Sequence, residues 1–127
     1  MNSTDEAPRA LRIWFVIHFV LDIIFALPLL VAPVWFLGIF GWETTDPFVA
    51  RLVGAALFAI GIESWLGRHQ SLESYRTMLR LKLLWSGSAT AGILATMIEG
   101  APPMGWLIFA IFAGFFLVWG YWYRAIT

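Results

Sequence analysis

The sequence predicts an all-α integral membrane protein, a bundle of four transmembrane helices, and three observations carry that prediction. The 127 residues are 61% hydrophobic and only 13% charged, with a mean hydropathy of +0.80; a soluble domain is nearer half apolar and a quarter charged. A chain this short cannot hide so much apolar surface from water, because small domains leave much of their surface exposed. Four long apolar runs, each near the roughly 20 residues that cross about 30 Å of hydrocarbon, are separated by short polar connections. Inside lipid every backbone amide must be bonded, and no run alternates apolar and polar with period two. The runs therefore read as helices and not as strands.

The first span is LRIWFVIHFVLDIIFALPLL, residues 11–30. It reads as a retained span and not as a cleaved leader. Its apolar stretch exceeds the usual core of roughly 7–15 residues, an aspartate stands in its middle, and no A-x-A site closes it. The preceding MNSTDEAP reads as a loose tail. Apolar character continues past Leu30, but Pro28 and Pro33 interrupt it, and a single helix to Phe40 would be too long to span straight. The spacing predicts a separate short element over 33–41, lying at the membrane surface, with a kinked extension of the first helix as the alternative.

The second span, residues 48–67, is announced by TTDPF: Asp46 can cap and Pro47 can take the first helical position, where its missing N–H costs nothing. Ser71 can cap the third, placed at 75–98, which is basic at its start and apolar from Leu83 onward. Gly100, Pro102 and Pro103 end that helix and lead into the fourth, at 104–123. The whole chain, 1–127, reads as a single integral membrane domain.

Orientation follows from the basic residues. With four spans, both termini and the middle connection share one side, which carries Arg9, Arg12, Arg68, Arg76, Arg80 and Arg124, with Lys82 just inside it. The other side has only Arg51, beside Glu43, Asp46 and Glu99. By the positive-inside rule the termini are cytoplasmic, which reads as a multi-pass plasma-membrane protein. Trp14, Trp65, Trp119, Trp122, Tyr121 and Tyr123 would ring the inner interface; Trp35, Trp42 and Trp106 would mark the outer one.

Several functions are excluded early. Eight basic and eight acidic residues cancel, so no electrostatic footprint points to nucleic acid. The absence of cysteine removes disulfides, thiolate metal sites, covalent haem attachment and C-terminal prenylation, and leaves the redox compartment unread.

Within the spans the ionisable groups stand out. At about 1.5 Å per residue, His18 lies roughly 10 Å inside the cytoplasmic end and Asp22 about 6 Å deeper. Glu63 and Lys82 fall at a depth similar to His18, on two other helices. Charges in hydrocarbon cost about 2.5–3.5 kcal/mol each on insertion scales, so they face the protein and pair. The sequence thus predicts an intramembrane polar cluster of His18, Asp22, Glu63, Lys82 and Ser86, with Glu63–Lys82 as its leading contact. The expected faces are Phe15, His18, Asp22 and Phe25 on the first helix; Leu52, Ala56, Ala59 and Ile60 around Glu63; and Ser86, Ala89, Ile93 and Thr96 around Lys82. Ala50 to Gly54 and Ala110 to Gly114 have the small-residue spacing that membrane helices use for close packing. Arg51 is expected to snorkel or pair with Asp46 or Glu43.

The plainest role for such a cluster is to fix which helix faces which; a ligand or proton site, or contact with a partner subunit, are its other readings. Metal is not expected: His18, Asp22 and Glu63 could offer ligands, but Lys82 at the same depth would repel a cation. A bis-histidine haem would need His18 and His69, which differ in depth and environment. The run SGSATAG, Ser86 to Gly92, reads as a packing face and not as a nucleophilic serine motif.

An early acid in the first span, the Pro28–Pro33 pair leading into FLGIFGW, then DPFVARLVGAALFAIGIESWLGR and MLRLKLLWSGS, together resemble small prokaryotic four-helix membrane proteins, loosely DoxX-like. Members of that group are described as membrane components or accessories of oxidoreductase systems, so the resemblance implies an accessory role and transfers no catalytic residue. The sequence therefore points to a non-catalytic subunit of a larger membrane assembly or to a bundle holding an apolar small molecule. A membrane enzyme or proton-coupled transporter using Asp22, Glu63, Lys82 and His18 is the competing class. The expected partners are the lipid bilayer, other membrane subunits or a second copy in a homodimer. No particular cofactor is indicated.

Overall fold

The computed structural model describes residues 6–127 and is all-helical, with no strand among them. Five helices follow in order: α1 Arg9–Val31, α2 Pro33–Ile39, α3 Pro47–Leu66, α4 Leu72–Glu99 and α5 Gly105–Ile126. All but α2 are long and apolar enough to cross a membrane. Residues 1–5, the larger part of the expected loose tail, lie outside the described region.

Helix ends follow from local chemistry. The Asp46 side chain accepts from the Phe48 amide at 2.9 Å, and Pro47 opens α3. Ser71 Oγ accepts from the Ser74 amide at 3.3 Å, so α4 begins at Leu72, nearly a turn before the expected start. A reading by apolar content sees where lipid begins, whereas the cap decides where the helix begins. Gly100, at φ 116°, closes α4 in a conformation that suits glycine.

α1 and α2 are two helices and not one kinked helix. Pro28 is tolerated inside α1, but Ala32 leaves the helical region at φ −143°, ψ 65°. Steric conflict with the Pro33 ring disfavours helical dihedrals at the residue before it, and Pro33 then starts α2. The short helix turns back onto α1 through three phenylalanines. Phe36 meets Phe25 edge-on at 5.7 Å and Phe40 at 5.3 Å. α2 closes in a turn at Gly41, φ 101°, with Trp42 N–H donating to the Leu37 carbonyl at 3.1 Å.

The chain divides into two compact units, Glu6–Gln70 and Ser71–Thr127. In the first, α1 and α3 pack antiparallel. The buried side of α3 repeats as Ala50, Gly54, Leu57, Gly61 and Ser64, a four–three spacing that keeps one stripe on one face. Two glycines of that stripe bring the backbones together. A β-carbon on Gly54 would stand 3.0 Å from Leu29 Cβ and 3.3 Å from the Ala26 carbonyl; one on Gly61 would stand 2.7 Å from Asp22 Cβ. Contacts this close between helices are the source of dispersion energy that replaces hydrophobic burial in lipid. Arg51 adds a polar tie across the pair. Its Nε donates to the Leu30 carbonyl at 3.0 Å, one of the acceptors that the last turn of α1 leaves without an amide, and its positive charge suits a helix C-terminus. Its hydrogen bond thus crosses to α1, where snorkelling or pairing with Asp46 or Glu43 was expected.

In the second unit α4 and α5 also pack antiparallel. Gly87 receives the Phe116 ring, whose edge would stand 2.9 Å from an added β-carbon, and Gly120 faces Leu83 at 3.8 Å. Trp85 meets Phe112 edge-on at 5.9 Å. Arg76 repeats the device of Arg51: its Nε donates to the Ile126 carbonyl in the last turn of α5, at 3.0 Å. Both arginines are the fifth residue of their helix. The expected Ala110–Gly114 packing step is not used. Both residues are exposed, and no atom lies within 4 Å of a β-carbon built on Gly114.

Candidate functional site: the buried polar side chains

The buried polar or charged side chains are His18, Asp22, Ser64, Lys82 and Ser86. Four of the five residues expected in the polar cluster are thus buried, and Ser64 is an addition.

On α1 the buried stripe is Leu11, Phe15, His18, Asp22, Ala26 and Leu29. His18 and Asp22 stand one turn apart on it, only 4% and 7% exposed. His18 Nε2 lies 3.3 Å from Asp22 Oδ1. The carboxylate orients the imidazole, as an acid beside histidine does elsewhere. Asp22 is also the residue against which Gly61 of α3 is packed, with its Oδ2 3.6 Å from the position of a Gly61 β-carbon. The acid is therefore seated by a glycine chosen for space. Ser64, one turn further along α3, donates its hydroxyl to the Ile60 carbonyl at 2.9 Å.

Glu63 is different. It is exposed, and so are two of the residues expected to share its face, Leu52 and Ala59. The packed stripe passes through Gly61 and Ser64, and Glu63 stands about 200° around the helix from Gly61. Its exposure departs from the buried place expected for it. Glu63 sits in the last turn of α3; a carboxylate this near a helix end can reach polar surroundings, which makes exposure inexpensive. Beside it Arg68 lies over the Trp65 ring, 3.5 Å from its centroid, and donates to the Trp65 carbonyl.

On α4 the buried stripe is Tyr75, Leu79, Lys82 and Ser86. Lys82, 3% exposed, holds its Nζ 4.9 Å from the centroid of Trp119 on α5. A cation over an indole face gains from the ring quadrupole, and more so when water is excluded. Trp119 is fully buried and stacks on Phe115 at 5.5 Å, so it is removed from the ring of interfacial anchors in which it was expected. No signal short of knowing the α4–α5 register could have paired it with Lys82. Ser86 donates to the Lys82 carbonyl at 2.7 Å, Thr90 to the Ser86 carbonyl at 2.6 Å and Thr96 to the Gly92 carbonyl at 3.1 Å. Ser88 donates likewise to the Leu84 carbonyl. The hydroxyl protons of SGSATAG are thus engaged with the backbone one turn back, and its Gly87 is a packing contact, in keeping with a packing face and not a nucleophile.

No group of three or more His, Asp or Glu side chains is arranged to hold a metal ion among the described residues. What the two units offer chemically is an imidazole–carboxylate pair in one and an ammonium against an indole in the other. Together with the four long apolar helices, these internal charges define a multi-pass α-helical membrane protein. No family model, curated protein or solved structure matches the chain.

Proposed function

We propose that the protein is a non-catalytic accessory subunit of a larger membrane assembly, in the plasma membrane of a prokaryote, with both termini cytoplasmic. The observation that supports the reading best is the engagement of the polar side chains inside their own helices. The hydroxyls of Ser64, Ser86, Ser88, Thr90 and Thr96 donate to carbonyls one turn back, the position of a structural hydroxyl in a membrane helix. Two of the three connections between the long helices are short, from Gly67 to Ser71 and from Gly100 to Met104, and α2 takes up about half of the third, residues 32–46.

Native mass spectrometry after mild extraction from native membranes, at natural expression level, tests this. The expected result is a discrete mass in which the chain is accompanied by other membrane polypeptides in fixed ratio. A mass equal to the chain or its dimer plus one apolar small molecule overturns the subunit reading in favour of ligand binding. The bare chain overturns both.

Orientation has its own test, made clean by the absence of cysteine. Single cysteines at exposed positions Thr44 and Glu99 should react with an impermeant maleimide on intact cells. Gln70→Cys should react only after the membrane is opened. The reverse pattern would place the termini outside.

A second reading rests on His18–Asp22. A buried imidazole one turn from a carboxylate can hold and release a proton, which is the use that intramembrane acid–base pairs have in pumps and transporters. Substitutions at Asp22 separate it from the first reading.

A further inference from the structure

The polar residues on the α4–α5 seam are not used by any of the readings above. Leu83 faces Gly120 and Gly87 receives Phe116, while Arg76 reaches the Ile126 carbonyl. Positions 76, 80, 83 and 87 therefore form one stripe of α4 that looks toward α5, by the four–three spacing of a helix face. Arg80 belongs to this stripe, three residues before Leu83. Arg124 lies one turn beyond Gly120 on α5, the residue that Leu83 faces. The two arginines thus flank the Leu83–Gly120 contact from either side of the seam, and both are exposed.

Arg76 lies one turn further toward the end of the pair, its guanidinium fixed at one nitrogen by the Ile126 carbonyl. Glu73 is the acidic residue nearest in sequence, exposed and one turn outside Arg76; the other acid of this unit, Glu99, is at the far end of α4. Three guanidinium groups against one peripheral carboxylate give this end of the seam a net positive charge. Exposed Leu84, one turn beyond Arg80, and Leu117 continue toward the hydrocarbon, and Gly120 leaves the groove between the helices without a side chain from α5.

We propose that this end of the α4–α5 seam is a binding site for an anionic glycerophospholipid. Its phosphate is taken by Arg80 and Arg124, with Arg76 as a third donor, and its acyl chains run along the leucines. Guanidinium groups suit phosphate because they offer paired N–H donors in a fixed plane, and basic sites between transmembrane helices select anionic headgroups. The charge complementarity chooses the lipid class, and the apolar continuation chooses a lipid over a soluble anion. The proposal goes beyond the accessory role and does not depend on it.

The test uses the full chain in phosphatidylcholine nanodiscs containing a minority of phosphatidylglycerol. Native mass spectrometry after release from the disc reads the lipids retained. Phosphatidylglycerol is expected to be retained well above its share of the bilayer, and Arg80→Gln with Arg124→Gln to lower that enrichment by about tenfold or more, since each arginine near a headgroup layer contributes roughly fivefold. Arg9→Gln, outside this unit, serves as the control and should leave the enrichment unchanged. Circular dichroism confirms that the double variant keeps its helices; should it lose them, the single variants are read in its place, each with a smaller loss. Retention of phosphatidylcholine at its bulk share in the wild type, or equal enrichment in the double variant, overturns the proposal. Equal loss from Arg9→Gln overturns it too, by showing diffuse attraction and no site.

Discussion

Replacing Gly61 with alanine is expected to destabilise the α1–α3 pair by about 1–3 kcal/mol, the usual cost of forcing an extra carbon into a packed interior. The sign has to be argued, because glycine in a helix is ordinarily the weaker choice: alanine gains about 1 kcal/mol from propensity alone. At Gly61 the new β-carbon would stand 2.7 Å from Asp22 Cβ. That atom is attached directly to the α1 backbone and cannot swing aside as the tip of a long side chain would. Either the helices separate, losing the dispersion contacts along the stripe, or Asp22 is displaced from His18. The Phe116 ring that meets Gly87 at 2.9 Å is the softer case, since a ring can rotate; Gly87→Ala should cost less than Gly61→Ala. Gly92 and Gly114 have no atom within 4 Å of an added β-carbon, so alanine there should leave stability unchanged or raise it slightly. Thermal unfolding in a mild detergent, followed by near-ultraviolet circular dichroism, ranks the four variants. Gly61→Ala unfolding alongside Gly92→Ala would sink the close approach of α1 and α3.

What the sequence reveals about this fold divides along a physical line. The four spans are legible because composition and length alone decide them, and the α1–α2 break is legible because proline restricts the residue before it. The first helix's buried stripe is close to its expectation: His18 and Asp22 are the only ionisable side chains between Ile13 and Leu30, so they mark the face unaided. The second is not legible from Glu63, because a carboxylate near a helix end can reach polar surroundings and need not face the protein. The signal that locates it is the Ala50–Gly54 spacing read from the sequence, continued in heptad register to Gly61. That same signal failed on α5, where Ala110 and Gly114 lie exposed, because small residues permit a contact without requiring one. The carbonyl ties of Arg51 and Arg76, and the seat of Lys82 on Trp119, depend on how helices are registered against each other. A single strand of sequence carries almost no trace of that.

Asp22 is the position where structure and function come apart most sharply. Asp22→Asn keeps a carbonyl oxygen where Oδ1 now meets His18, and it keeps the β-carbon against which Gly61 packs. Its cost should be about 1 kcal/mol or less. Asp22→Leu has similar bulk but takes that acceptor from a histidine only 4% exposed. The expected loss is about 1.5–3 kcal/mol, the usual worth of a hydrogen bond to a charged group. Both values come from the same unfolding measurement. If the acid only positions helices, Asp22→Asn should also retain its companion polypeptides in the native mass spectrum, and Asp22→Leu should lose them in proportion to stability. A different pattern would contradict the accessory reading: Asp22→Asn folded, fully assembled, and yet unable to support the proton-coupled process of its assembly. An amide can replace the carboxylate as an acceptor but cannot take up its proton. That outcome would assign the pair to proton transfer, and His18→Gln should then reproduce the defect in a folded protein.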